Sequence, residues 1–285
     1  MIDFPSLRPP LYGVLAILLL LTANDLVPEP ESGARAMSTA PAPVVEALEP
    51  AQGALVGGET MTITGRGLTA VTSVEVDGVP VELGRVANGS ITLAAPNAVG
   101  YTAGTVDVEV FVGDDAVASD LEWTYVTTTA VDRQLEYAFR HWNDYNTASF
   151  GNFNEWGGDC MNFVSQTLVA RGWVPHAEWF NDAQVDWADP FVHVPSFDDW
   201  LAGHPEYGAV RLEYSERERA KVGDVVVFDW EGDGSLDHAQ VISRVNGDAS
   251  IEMVGHNVDS TYRSIDDALA EQGSSAAHVY IWSLA

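Results

Sequence analysis

The stretch GGDCMNFVSQTLVARGW, residues 157–173, decides how the second half of this chain folds. Its apolar residues recur at the spacing of one helix face, i, i+3 and i+7: Met161, Val164 and Leu168. Asp159 is a residue type that caps helix N-termini, and Gly172 is one that ends helices. The pattern predicts a helix with Cys160, the single cysteine of the chain, in its first turn.

The predicted position of Cys160 suits a nucleophile. The first turn of a helix has unpaired N–H groups and the positive end of the helix dipole, which favour a thiolate and lower the thiol pKa. Gly157 and Gly158 would let a substrate backbone approach the thiol closely. The sequence therefore predicts a reactive cysteine, and the cysteine count alone leaves a buried, unreactive one as the alternative.

Three strands are predicted further along the chain. Residues 225–228 follow a Gly-Asp turn, residues 238–245 form a second apolar run, and residues 250–257 form a third after the hairpin signal Asn246-Gly247. Successive strands of such a meander pair antiparallel. The residues that begin the second strand should therefore lie beside those that end the third.

His238 begins the second of these strands and is the candidate general base for Cys160. A catalytic imidazole needs a partner on its other ring nitrogen to fix its tautomer. His256 and Asn257 lie at the end of the third strand and are the candidates for that role. Asn154, upstream of the cysteine, is a candidate side-chain donor to an oxyanion.

Residues 43–127 have a different pattern, in which apolar and polar residues alternate. The alternating runs are 59–64, 73–76, 79–83, 90–93, 105–110 and 121–125. Turn signals such as Asp77-Gly78 and Asn88-Gly89 separate them. About seven short strands over such a length are typical of an antiparallel sandwich, so this half is predicted to be all-β.

The two halves resemble two known families. The run GGETMTITGRGL at 57–68, with VEVDG at 74–78, resembles an IPT/TIG immunoglobulin-like domain. GGDCMNFVSQ at 157–166, GDVVVF at 223–228 and Asp237-His238 resemble the family named Putative amidase domain. That family is similar to the NlpC-type and CHAP peptidoglycan hydrolases of the papain-like superfold. The resemblance implies an Ig-like sandwich followed by an α+β papain-like cysteine hydrolase.

The same resemblance implies a mechanism and a substrate. Cys160 would attack an amide carbonyl and form a thioester, His238 would carry the proton, and the third catalytic position falls on His256, beside Asn257. Peptidoglycan peptide amides are the implied substrate, no cofactor is expected, and the sandwich would position the enzyme or bind a cell-surface partner. Two alternatives stay open: a non-catalytic surface-adhesion protein that keeps the fold, and a cysteine peptidase or transpeptidase acting on proteins.

The charge of the chain excludes one class of function. Acidic residues number 42 against 13 basic ones, which gives a formal net charge of −29. A nucleic-acid binder needs a basic surface to replace the counterions of the phosphates, and this chain has none. The acidic shell is typical of a solvated surface that keeps an exported protein soluble.

The N-terminus resembles an export signal. Residues 11–23 are largely apolar, too short for a comfortable membrane span and suited to a signal-peptide core, and Ala34-Arg35-Ala36 offers a cleavage site. A retained membrane anchor is the alternative. The predicted division is a signal peptide or anchor with its processing region at 1–36, a linker at 37–42, the sandwich at 43–127 and the hydrolase domain at 128–285. The predicted location is secreted or cell-surface.

Two further features each allow two interpretations. The acidic run from Asp229 to Asp237 resembles the start of a calcium-binding loop, but Gln240 stands where a bidentate glutamate is needed. A plain acidic turn is therefore favoured over a structural calcium site. The tryptophans between the cysteine helix and residue 223, Trp179 and Trp187 among them, either line a substrate cleft or pack a core, and packing is favoured.

Overall fold

Alternating residues in the first half form ten strands that pack as two sheets, in a computed structural model that describes residues 41–285. The strands are β1 (Val44–Glu49), β2 (Gln52–Ala54), β3 (Thr60–Arg66), β4 (Ser73–Val76), β5 (Val79–Val81), β6 (Leu83–Ala87), β7 (Ser90–Ala94), β8 (Gly104–Val112), β9 (Asp115–Val117) and β10 (Glu122–Val126). One sheet has the order β1-β3-β7-β6 and the other β2-β10-β8-β4-β5, with β9 on β8. The predicted β-sandwich is confirmed, and the predicted signal peptide lies outside the described residues.

The chain that follows forms a mixed α/β domain. Its helices are α1 (Ala130–His141), α2 (Thr147–Phe150), α3 (Cys160–Arg171), α4 (Asp189–Val192), α5 (Val194–Gly203) and α6 (Ile265–Gln272). Its strands are β11 (Asn181–Asp182), β12 (Asp186–Trp187), β13 (Val210–Glu213), β14 (Val225–Asp229), β15 (His238–Val245), β16 (Ile251–Gly255), β17 (Ser260–Ser264) and β18 (His278–Ser283). The main sheet is antiparallel, with the order β13-β18-β14-β15-β16-β17.

The main sheet is covered on both faces, because its central strands are apolar on both sides. Val225 and Val227 of β14 pack in the same core as α3, whereas Val226 and Phe228 pack in a second core with α6. Strand alternation therefore divides each central strand between the two helices. Within residues 41–285, no helix is long and apolar enough to span a bilayer.

Helix α3 is more buried than its apolar stripe predicts. Polar residues on its other faces are also buried: Asn162, Ser165, Gln166 and Thr167. Helix α1 covers this side, and the hydroxyl of Tyr137 donates to Oε1 of Gln166 at 2.7 Å. Helix α1 ends at His141, because Asn143 and Asp144 favour a bend over a further turn.

The sandwich and the α/β domain share contacts and one hydrophobic core. Asp132 in the first turn of α1 accepts a hydrogen bond from the backbone N–H of Val56 at 2.9 Å. The buried hydroxyl of Tyr101 donates to the backbone oxygen of Ser243 on β15, and its ring centroid lies 4.8 Å from that of Phe139. The sandwich thus supports the strand that begins at the candidate site.

Candidate active site

Cys160 is the first residue of α3, as the sequence predicts. Gly157 and Gly158 have φ values of 114° and 133°, which side chains other than glycine rarely tolerate, and they turn the chain into the helix. The side chain of Cys160 is buried, with 6% of its surface exposed. Backbone N–H groups of Ala239 and Met161 lie near the sulfur and partly lower the pKa of the Cys160 thiol. Helix α3 therefore brings the thiol against the start of β15.

The protonation of the thiol differs from the sequence prediction. Burial raises the pKa of the Cys160 thiol to about 11, against the partial offset from the nearby backbone N–H groups. The backbone N–H groups near the helix N-terminus do lower the pKa of the thiol, as expected. Their effect is smaller than the opposite effect of desolvation, which disfavours a buried thiolate. The free protein therefore holds Cys160 as a neutral thiol at neutral pH.

His238 begins β15, next to the residue whose N–H reaches the thiol. Its strand partner is Phe228, so its ring lies on the sheet face of the second core, with its centroid 5.9 Å from that of Phe228 and 6.2 Å from that of Trp230. The next residue, Ala239, faces the core that contains Cys160. Burial lowers the pKa of His238 to about 4, so the imidazole is neutral at pH 7. Among residues 41–285, Nε2 of this ring is buried without a hydrogen-bond partner.

His256 has different partners from those the sequence predicts. Nδ1 donates to Oδ2 of Asp159 at 2.7 Å, and Nε2 donates to the backbone oxygen of His141 at 2.9 Å. Both nitrogens face acceptors, and an imidazolium paired with the Asp159 carboxylate satisfies them with two N–H groups. Neither nitrogen is left for His238, which corrects the prediction that His256 orients it.

Asp159 has the position of a helix cap but not the hydrogen bonds of one. Its carboxylate does not cap the backbone of α3 but accepts from the backbone N–H of Phe153 at 2.8 Å, from the side-chain Nδ2 of Asn162 at 2.9 Å and from His256. The reason is that a buried imidazolium offers a stronger partner than a helix N–H group. The carboxylate thus fixes the loop before Cys160 to the end of β16.

Asn257 also holds this loop, which corrects its predicted role as a partner of His238. Its Oδ1 accepts from the backbone N–H of Asp159 at 2.7 Å, and its Nδ2 donates to Oδ1 of Asn154. The same side chain lies over Gly158, where an added Cβ would stand 3.1 Å from Oδ1 of Asn257. The structure therefore brings Asn154 to the edge of the site as an exposed acceptor of this bond.

Gln240 is a residue that the sequence reasoning missed. It stands two residues after His238 on β15, so the two side chains point to the same face of the sheet. Both polar atoms of its buried carboxamide lack a hydrogen-bond partner in the described part of the chain. Gly255 on the neighbouring strand makes room for it, since a Cβ there would lie 2.7 Å from Cγ of Gln240. Gly255 identifies this position only when the register between β15 and β16 is known.

The acidic turn is held by its own backbone. The carboxylate of Asp229 accepts from the N–H groups of Gly232, Asp233 and Gly234 at 2.7, 3.2 and 2.8 Å. Carboxylate oxygens of Asp229, Glu231 and Asp237 lie within 4.8 Å of one another. These are the residues that could face a cation, but the hydrogen bonds already stabilise the turn.

The two tryptophans have different environments. Trp179 is fully buried and packs parallel to Trp200, which agrees with the favoured interpretation of a core residue. Trp187 is only half-buried and lines an open pocket of about 290 Å³ together with Trp156 and Phe153. This pocket reaches Gly158, so it adjoins the nucleophile.

Comparison with known proteins agrees with this architecture. The family model described as Putative amidase domain matches residues 125–282, more than half of the chain, and the chain belongs to that family. An IPT/TIG domain precedes it at residues 43–125. These matches define the class: a sandwich domain joined to an amidase-type α/β domain.

Individual relatives are more distant. The chain is 28% identical over 113 residues to "Uncharacterized protein YhbB" of Bacillus subtilis (strain 168), a match that covers 38% of this chain and 35% of that protein. The chain thus spans about a third of the length of the curated relative it matches.

Among solved structures, it is similar to the plexin A4 extracellular region (26% identity, 30% of this chain and 8% of that one, TM-score 0.28). It is also similar to the Bacteroides ovatus SGBP-B protein in complex with a mixed-linkage heptasaccharide (12% identity, 82% and 48% covered, TM-score 0.22). These TM-scores are too low to support a conclusion about the fold or the function of this chain.

Proposed function

We propose that this protein is a secreted, papain-like cysteine amidase that cleaves peptide amides of peptidoglycan through a thioester on Cys160. The observation that carries the proposal is the position of the single cysteine at the start of α3, against the start of β15 where His238 stands. Acyl transfer needs a base within hydrogen-bond reach of the thiol, so the proposal requires the His238 ring to turn about the start of β15, from the Phe228 face toward the thiol. Membership of an amidase-type family supports the reaction class.

The two pKa shifts favour a neutral starting pair over a preformed ion pair. The thiol pKa is raised to about 11 and the imidazole pKa is lowered to about 4, so neither group is charged at pH 7. His238 then acts as a general base that accepts the thiol proton as Cys160 attacks, in the manner of a serine hydrolase.

The proposed reaction has two stages, acylation of Cys160 and hydrolysis of the thioester. The sulfur of Cys160 bonds to the amide carbon while its proton passes to His238. The imidazolium then gives that proton to the departing nitrogen, the C–N bond breaks, and an amine leaves with a thioester behind. Water attacks the thioester, its proton passes through His238 to the sulfur, and a carboxylic acid is released. The backbone N–H groups of Ala239 and Met161, which lower the thiol pKa in part, would stabilise negative charge that develops on the sulfur.

Gln240 is the residue proposed to orient His238. Its carboxamide oxygen is a buried acceptor without a partner, and Nε2 of His238 is a buried ring nitrogen without one, on the same sheet face. Buried polar groups are normally paired, so a small side-chain rotation or one bridging water would satisfy both groups. The role that the resemblance implied for His256 passes to Gln240 in this proposal.

Peptidoglycan is proposed as the substrate on two grounds: the resemblance to wall hydrolases in the cysteine motif, and the predicted export signal. The sandwich packs on β15 through the bond from Tyr101 to Ser243, and it is proposed to position the catalytic domain or to bind a cell-surface partner.

The test is digestion of purified peptidoglycan, with released amino groups and soluble fragments measured by liquid chromatography and mass spectrometry. The full chain should release new amine ends, and Cys160→Ser and His238→Ala should each lower the rate at least a hundredfold. His278→Ala is the matched control, because His278 is an exposed histidine at the start of β18. Equal fragments from the wild type and Cys160→Ser, or none from either with any wall preparation, would refute the proposal and favour a binding protein.

A further inference from the structure

Three aromatic rings form a corner beside the nucleophile. Phe153 is buried and meets Trp156 and Trp187 nearly at right angles, with centroids 5.8 and 5.2 Å away and interplanar angles of 89° and 84°. The centroids of the two indoles lie 5.0 Å apart at 53°. Trp156 is 60% exposed, so burial in a core does not explain its position. The corner therefore presents indole surface to a ligand.

The charge of the pocket selects the ligand. Asp189, at the start of α4, lines the same pocket and its side chain is exposed. The described lining residues include no lysine or arginine, and the lining histidine, His193, has its Nδ1 bonded to Oγ of Ser196 at 2.8 Å. Asp189 is the one carboxylate among the described lining residues. Aromatic faces together with a carboxylate attract an organic cation, since the ring quadrupole and the full charge act in the same direction.

The pocket lies close to the thiol. Gly158 lines it, and Gly158 is two residues before Cys160, which limits the distance between their Cα atoms to about 7.6 Å. Phe153, the buried ring of the corner, donates its backbone N–H to Asp159 at 2.8 Å. The same carboxylate holds the loop before Cys160, so one anchor positions both the pocket and the nucleophile.

We infer that the pocket formed by Phe153, Trp156, Trp187 and Asp189 binds a positively charged ammonium group of the substrate, carried by a residue adjacent to the amide that Cys160 attacks. This inference rests on the proposed function for the identity of the attacked bond. It adds a substrate class: peptides with a free amino group, on a side chain or at a chain end, within about one residue of the cleaved amide.

The test measures binding without turnover. The full-length Cys160→Ser protein is titrated by calorimetry with acetyl-Ala-Lys-Ala-amide and with the same peptide carrying Nε-acetyl-lysine, which removes the charge. The charged peptide should bind at least fivefold more tightly. Trp156→Ala and Asp189→Asn, each added to Cys160→Ser, should lower that ratio below twofold.

Asp186→Asn is the matched control, because it removes the same charge from a nearby exposed residue that does not line the pocket. It should keep the ratio. A ratio near one in Cys160→Ser, or an equal loss in Asp186→Asn and Asp189→Asn, would overturn the inference. A preserved ratio in a protein whose wild type cleaves no amide would refute the proposed hydrolase and leave the cation pocket standing.

Discussion

Replacing His256 with phenylalanine should cost about 3–5 kcal/mol of folding free energy. The substitution keeps a ring of similar size between the rings of Tyr145 and Phe163, whose centroids lie 3.6 and 4.1 Å from that of His256. It removes both N–H groups of the imidazolium. The carboxylate of Asp159 then stays buried without its charged partner.

The magnitude follows from burial. The side chains of His256 and Asp159 are 0% and 1% exposed, so water cannot replace the lost hydrogen bond of 2.7 Å. Breaking such a pair leaves an uncompensated buried charge, whereas an exposed pair contributes about 0–1 kcal/mol. His278 and Glu213 form the matched control, since their 3.0 Å pair is 48% and 53% exposed. His278→Ala should cost less than about 1 kcal/mol.

The assay is urea unfolding followed by tryptophan fluorescence, with the wild type, His256→Phe, His278→Ala and the double variant Asp159→Asn/His256→Phe. The double variant should recover part of the loss, about 1–2 kcal/mol, because it no longer buries a bare carboxylate. A cost for His256→Phe no larger than that for His278→Ala would refute the assignment of a buried ion pair. So would a double variant less stable than the single one.

Three further predictions concern the protonation of Cys160, the protonation of His238 and the hydrogen bond that Tyr101 makes between the two domains. Cys160 should react slowly with iodoacetamide at pH 7, and the rate should rise as pH approaches the thiol pKa of about 11; a plateau below pH 8 would contradict the burial argument. The pKa of His238 in the folded protein is about 4, below the ordinary 6.5, so the unfolded state binds a proton more readily as pH falls. The free energy of unfolding should therefore decrease by up to about 3 kcal/mol between pH 6.5 and pH 4. In urea titrations at pH 7 and 4.5, His238→Phe should lose this pH dependence. Tyr101→Phe should lower stability by about 1–3 kcal/mol, because it leaves the oxygen of Ser243 unpaired; an unchanged midpoint would show that the hydroxyl does not join the domains.

Much of the fold could be predicted from the spacing of apolar residues along the sequence. The alternating runs at 59–64 and 90–93 became β3 and β7, and Gly172 ends α3 with a φ of 119°. These features depend on local backbone geometry and on which face of the strand or helix is apolar. A short stretch of consecutive residues determines both. The end of α1 at His141 depends on the weaker preference of Asn143 and Asp144 for a bend, which local patterns define less sharply.

The site was accessible only in part. The position of Cys160 in the first turn followed from local signals, but its pKa depended on how deeply the whole domain buries it. The pairing of His256 with Asp159 joins residues 97 positions apart, and no local pattern distinguishes it from a pairing with His238. Gln240 and Gly255 carried a signal only once the register of β15 and β16 was known.

The most direct test of the account is a search for the acyl-enzyme. Intact-protein mass spectrometry after rapid acid quench, with soluble peptidoglycan fragments as substrate, should show a transient adduct whose mass equals the acyl half of the substrate. Peptide mapping should place it on Cys160, and Cys160→Ala should abolish it together with amine release. Amine release by the wild type without any adduct, undiminished in Cys160→Ala, would contradict the assignment of Cys160 as the nucleophile.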